Sequence, residues 1–397
     1  MANGGVIPGA YEGREQAYVK HVLLEAYLQK LFLIVGGAAP PGKRIELCYV
    51  DCFAGPWGDE SERIESTSIA ISLHTLDIVR QKLGINNVSA TVRALYIEKD
   101  SRAFGRLQNF LRTDTPKGIH AEAMNGDFVA LRDAILRWVG KDAFTFFFID
   151  PKGWKGVEVP TLAPLLARPR SEFLINFMYD FINRMVSMVD WQPDAAELLG
   201  EPVSVDGREP REREHEILTA YRTNLKLRVS AARPPYPART AYVRVLDRAK
   251  ERPKYHLIYV TSHPRGIIEF MAISEGVELV QRQVRAELQD AERERRTGNM
   301  NLFATPVQEE EGRAGAEDVD RFWLDYIGLA ERRVDSAAFA DILEELGWFP
   351  GNLQASLVRL IAAGQVENLD ASGKRPKKPL HFGAKGGERL RRTRGRA

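Results

Sequence analysis

From about Glu15 to Val35, apolar residues return at spacings of three and four: Tyr18, Val22, Leu23, Tyr27, Leu28, Leu31 and Phe32. That period predicts an amphipathic helix. The glycines and two prolines of Gly36–Lys43 end it. Five short apolar runs follow: Ile45–Asp51, Val92–Glu98, Phe144–Asp150, Phe173–Met178 and Tyr255–Thr261. Between them, Ser101–Leu111, Phe128–Val139 and Val159–Ala167 read as helices. A strand covered on both faces is apolar throughout rather than alternating, so this succession predicts a doubly wound, mostly parallel α/β sheet. Several runs end in a polar residue, at the edge where open α/β sheets hold their ligands.

The pattern changes along the second half. Residues from about 190 to 253 are polar and lack apolar runs, which predicts a helical insertion in the core. The acidic, glycine-containing stretch Leu302–Ala316 reads as a linker, set at 311–317. Val319–Leu329 is helical, with Phe322, Trp323, Tyr326 and Ile327 on one face. Ser336 is placed to cap a helix over Ala337–Leu346, and Asn352 to cap another over Leu353–Ala363 that ends at Gly364. Gln365–Leu369 and Leu380–Phe382 then suggest a two-stranded ribbon with a basic tip. Three helices and a basic-tipped hairpin are the plan of a winged helix, a helix-turn-helix relative. The expected organisation is a core over 1–310, a winged-helix module over 318–385 and a basic tail over 386–397.

Net charge over the 397 residues is only +2, so it names no partner; its distribution says more. Between Lys374 and Arg396 ten Lys and Arg face one acid, Glu388. Such ends touch nucleic acid or remain solvated. Lys374, Arg375, Lys377 and Lys378, at the hairpin tip, are the candidate nucleic-acid contacts. Two cysteines, Cys48 and Cys52, exclude a disulfide scaffold and an all-cysteine zinc site, and no metal is expected. The first ten residues lack a signal-peptide pattern, and Leu31–Ala39 is too short to span a bilayer. The expectation is a cytoplasmic protein with no membrane partner.

Four turns carry candidate chemistry. In Asp51–Gly58 an acid closes a strand and a glycine turn follows; Asp51, Phe53 and Gly55 are candidates for cofactor contact, since glycine admits a ligand close to the backbone. Glu98 ends the next run, where an acid can accept hydrogen bonds from ribose hydroxyls. Asp127 is placed to meet an adenine amino group with Phe128 on the ring, and equally to cap a helix. Asp150, Pro151 and Trp154 follow the aromatic run Phe146–Ile149; an acid before proline can hold the hydrogens of an exocyclic amine, and Trp154 can stack on a base. Singly, each also reads as an ordinary turn. Their order is that of an S-adenosylmethionine (SAM) site, and it turns the α/β expectation into a Rossmann-like, class I methyltransferase-type core. No His-Glu-x-x-His, Walker A or Gly-x-Ser-x-Gly pattern competes.

At these residues the chain resembles the three-Cys-motif partner protein (TcmP) family of bacteria. The resemblance rests on Lys20–Leu28, Tyr49–Pro56, Glu65–Ala70, Tyr96–Asp100, Phe148–Trp154, Leu174–Met178 and Leu257–Gly266. It implies a methyltransferase-like protein with a winged-helix end, working beside a radical-SAM-like partner that carries three cysteines. Where the family pattern leads one to expect Phe-Ala-Gly-Pro-Gly, Trp57 stands in place of the second glycine, with Gly58 next. The indole either crowds the methionine end of SAM or points outward. The leading expectation is therefore a SAM-dependent methyltransferase acting on nucleic acid by in-line transfer aided by positioning. A non-catalytic binding protein with a degenerate core ranks second, and a magnesium nuclease using Asp51, Glu98 and Asp150 ranks third.

Overall fold

In a computed structural model the chain is described at residues 7–40, 42–55, 67–229, 237–247, 252–297, 315–373, 378–382 and 386–393. Trp57, Gly58, Lys374, Arg375, Lys377 and most of the linker lie outside the described residues.

The core is a seven-stranded sheet in the order β3-β2-β1-β4-β5-β7-β6. Its members are β1 (Ile45–Asp51), β2 (Ala90–Glu98), β3 (Ile119–Asn125), β4 (Phe144–Ile149), β5 (Ser171–Phe177), β6 (Arg239–Leu246) and β7 (Pro253–Thr261). β1 to β5 are parallel, and β7 runs antiparallel between β5 and β6. Helices α1 (Glu15–Gly37), α2 (Ser68–Ile85), α3 (Ser101–Asp114), α4 (Phe128–Val139) and α5 (Val159–Leu166) link or flank the parallel strands. This is a Rossmann-like α/β fold. Strand order reverses at β1 and β4, and a doubly wound sheet opens its ligand crevice there. The five expected runs are all strands. β4 and β5 are buried at every position, as an apolar run predicts.

Two strands carry no apolar run. β3 (IHAEAMN) is a sheet edge and buries only Ile119. β6 corrects the expected all-helical insertion: α6 (Tyr179–Val186), α7 (Gln192–Leu199) and α8 (Pro210–Arg228) are helical, but 239–246 is the opposite edge strand. Its charges are matched within the fold. Arg239 Nε lies 2.7 Å from Asp341 and Arg244 Nε 3.0 Å from Glu214. A 34-residue helix, α9 (Pro264–Thr297), follows β7. Among the described residues no helix is long and apolar enough to cross a membrane.

The C-terminal part comprises α10 (Ala316–Ile327), α11 (Ser336–Leu346), α12 (Pro350–Ala362) and a three-stranded antiparallel sheet, β8-β10-β9. The strands are β8 (Arg332–Val334), β9 (Val366–Asn368) and β10 (Glu388–Arg392). The expected partner of β9, Leu380–Phe382, is not a strand. β9 pairs instead with β10, which lies in the stretch read as a tail. Leu390 explains this, because its fully buried side chain anchors the strand in the core. Flanking arginines are ion-paired, Arg389 to Asp370 at 2.9 Å and Arg391 to Glu367 at 2.8 Å. The cap of α11 is Asp335, accepting from Ala338 N at 2.8 Å, one residue before the expected Ser336.

Candidate active site

The carboxyl ends of β1, β4 and β5 and the first turns of α1 enclose a cavity of about 360 Å³. That volume lies within the range of small-molecule sites. Phe53, Ala54 and Gly55, after β1, form one wall; Asp150, Pro151 and Asn176, at the ends of β4 and β5, form another. Lys20 of α1 reaches down and ion-pairs with Asp150 Oδ2. Asn176 Nδ2 donates to Asp150 Oδ1 at 2.6 Å. An amide facing a carboxylate must present its N–H, so Asn176 Oδ1 points elsewhere, and it has no partner among the described residues.

Asp51 lies just beneath this cavity, fully buried. Its Oδ1 accepts from Phe53 N at 3.1 Å and its Oδ2 from Ser68 Oγ at 2.8 Å. Burial pushes its carboxyl up to about 7, helped by the charge of Asp150 and opposed by those two donors. The folded state thus favours the protonated form far above the ordinary 3.8. The resulting stability is complete below that ordinary value and is lost as pH rises toward about 7. Asp51→Asn should flatten this slope. Denaturation midpoints of both proteins at about pH 5 and about pH 8 check it, and parallel slopes would refute it.

Glu98, at the tip of β2, is 7% exposed and accepts from Asp100 N at 2.7 Å. Its Oε2 lies against the backbone of Gly55; a Cβ there would sit 2.0 Å from that oxygen. Only glycine lets the turn after β1 and the acid of β2 approach so closely. Asp127 caps α4 through Val129 N at 2.9 Å, and Lys99 pairs with its other oxygen at 2.9 Å. Lys99 holds this carboxyl below the usual range. Phe128 is buried at 3% exposure, its ring 5.2 Å from that of Phe53.

The sequence-predicted residues therefore divide. Phe53, Gly55, Asp150 and Pro151 line the cavity; Asp51 and Glu98 adjoin it; Asp127 and Phe128 do not line it. Trp154 is buried, meets Trp191 edge-on at 6.4 Å and lies outside the lining, so stacking on a base in this cavity is not its observed place. Residues given no role from sequence complete the walls: Arg14, Lys20, Lys152, Asn176, Lys254 and Tyr255. Lys20 and Asn176 stood inside blocks that carried the family resemblance, but nothing local marked them as neighbours of Asp150, 130 and 26 residues away. Cys52 is buried, and burial holds its thiol well above its ordinary value, the setting of an inert rather than a reactive cysteine. No trio of His, Cys, Asp or Glu among the described residues is arranged to hold a metal. Asp51, Glu98 and Asp150 are each committed to separate donors, which counts against the nuclease reading.

Fold and site together define a Rossmann-like protein with a cavity at its topological switch point. No family model matches the chain, and no curated protein matches it. Among solved structures it is similar to precorrin-6y C5,15-methyltransferase from Geobacter metallireducens GS-15, at 11% identity and a TM-score of 0.25, over 59% of this chain and 88% of that one. It is also similar to loganic acid methyltransferase with SAH, at 9% identity and a TM-score of 0.26, over 69% and 87%.

Proposed function

We propose that the chain is a SAM-dependent methyltransferase acting on an exocyclic amine of nucleic acid. One observation carries this reading. The neighbouring strands β2, β1 and β4 bring Glu98, Asp51 and Asp150 to the same edge of the sheet, beside a cavity at the switch point. A wholly parallel sheet would suit many nucleotide binders; the reversed β7 between β5 and β6 fits the methyltransferase-type plan. Glu98 and the Gly55 backbone would hold the cofactor's ribose, and the turn Phe53–Gly55 its amino-acid end. SAM, when bound, supplies an electrophilic methyl group. Asp150, aligned by Lys20 and Asn176, accepts the hydrogens of the amine and leaves its lone pair facing that methyl. Positioning is the main contribution, since no nucleophile of the chain is required.

Titration of SAM into the full chain by calorimetry tests the reading, with one-to-one binding at roughly micromolar affinity expected. A second reading, a binding protein with a degenerate core, draws on the fact that both oxygens of Asp150 already accept from Lys20 and Asn176. Absence of SAM binding, in wild type and in Trp57→Gly alike, would leave that reading standing.

The proposal extends to the C-terminal module as a winged helix that holds nucleic acid, and to a radical-SAM-like three-Cys partner, the latter on the family resemblance alone. Lys378 is exposed, next to Pro379, whose carbonyl accepts from Asn368 of β9 at 2.7 Å. Alanine at Lys374, Arg375, Lys377 and Lys378 should weaken binding to duplex or single strand at low salt by roughly ten- to a thousandfold, with a shallower salt dependence. Unchanged affinity would refute the nucleic-acid role. Truncation before Glu388 is unsuited to this test, because it removes β10, the middle strand. Co-expression with a radical-SAM-like three-Cys protein, followed by gel filtration, tests the partner; separate elution would exclude a stable complex.

A further inference from the structure

Cations from three separate stretches converge on the cavity. Arg14 and Lys20 stand at the start of α1, Lys152 follows β4 and Lys254 belongs to β7. Among the described lining residues the one acid is Asp150, and Lys20 already neutralises it. Lys152 is exposed and forms no ion pair with another described residue. Lys254 Nζ donates to the neutral amide oxygen of Gln16 at 2.5 Å. The amino end of the 23-residue α1, with its partial positive charge, opens onto the same space.

Such a lining is a poor home for SAM alone. The amino and carboxylate charges of its methionine part cancel, and the sulfonium leaves the cofactor cationic. A second ligand of opposite charge would remove the conflict. We propose that the rim formed by Arg14, Lys152 and Lys254 is an oxyanion site that holds a phosphate of the methyl acceptor. Charge-assisted bonds from lysine and arginine suit a phosphate oxygen, and a compact ammonium serves as well as a guanidinium. The inner wall is of the opposite kind. The carboxylate of Asp150 is an acceptor, which suits N–H groups. The acceptor thus enters with its amine inward and its phosphate at the mouth, the polarity of a nucleotide rather than a free base or nucleoside. Only the naming of the acceptor rests on the methyltransferase reading; the oxyanion site does not.

Calorimetry on the full chain separates the two ideas. The probes are inorganic phosphate, cytidine 5′-monophosphate, cytidine and S-adenosylhomocysteine, the uncharged-sulfur product of the cofactor. The variant is Lys152→Gln with Lys254→Gln, which retains most of each stem and its packing. In the wild type the monophosphate should bind about tenfold more tightly than cytidine. In the variant that advantage should vanish, inorganic phosphate should bind about tenfold more weakly, and S-adenosylhomocysteine should stay within about twofold. Equal binding of cytidine and its monophosphate to the wild type would overturn the proposal. So would a variant that loses S-adenosylhomocysteine but retains phosphate, since the rim would then serve the cofactor's carboxylate. If S-adenosylhomocysteine fails to bind while the phosphate effects hold, the methyltransferase reading falls and the oxyanion site stands.

Discussion

On the proposed SAM reading, alanine at Gly55 should remove most SAM affinity while leaving the fold almost as stable as before. The added Cβ would come within 2.0 Å of Glu98 Oε2, and the atom that must yield is the end of a side chain, which can swing away. Gly55 lacks a left-handed φ, so alanine brings no backbone strain. The structural loss is chiefly the bond from Asp100 N to the displaced carboxylate, about 0.5–1.5 kcal/mol. The functional loss is larger, because ribose hydroxyls would meet a misplaced acceptor. That costs about 1–3 kcal/mol, or roughly five- to 150-fold in affinity. Glu98→Ala should give a loss of the same size, and the double variant little more than either alone, because both remove one arrangement. Calorimetry with SAM, beside thermal melts, measures all three. Wild-type affinity in Gly55→Ala would show that Glu98 does not hold the cofactor.

The largest expected effect on stability lies at Gly387→Ala. Gly387 has φ +93°, and a Cβ would stand 2.3 Å from Val334 O and 2.4 Å from Asp335 Cα. Both obstacles are backbone, in the strand β8 that pairs with β10 and in the cap of α11. Neither can turn aside, so the cost should reach about 3–5 kcal/mol and lower the melting temperature of the 397-residue chain by roughly 4–6 °C. Gly386 is the control. Its φ is also positive, at +66°, but nothing lies within 4 Å of its Cβ position, so alanine there should cost only about 1 kcal/mol. Equal melting temperatures for the two variants would refute the argument.

What could be read in advance follows from burial. Strands covered on both faces announce themselves as apolar runs, so β1, β2, β4, β5 and β7 were legible. β3 was not, because it is an edge strand with alternating exposure, and β6 was not, because Arg239 and Arg244 break its run. The ion pairs that make those arginines tolerable come from Asp341 and Glu214, and sequence spacing does not reveal such partners. The acids at the strand tips were legible for the same reason as the strands. Their neighbours Lys20 and Asn176 acquire meaning only when α1 and β5 are folded against β4. The arginine-rich end misled because charge was read without its pairing, and Leu390 was a lone signal among arginines.

The C-terminal part is not a bead on a string. Trp323, Phe339, Leu343 and Leu357 belong to the same buried apolar cluster as Val243, Leu257, Phe270 and Met271 of the core. Glu344 fastens the seam, accepting from Lys226 Nζ at 2.8 Å and from Thr240 N at 3.0 Å. Two regions that share one interior lose it together, so heating should give a single calorimetric peak whose van't Hoff and calorimetric enthalpies agree. Two resolved peaks would contradict this. A chain cut at the linker would then uncover the oily flank of α9 and β6 and clump, so the distance from the β8-β10-β9 sheet to the cavity was fixed when the protein folded.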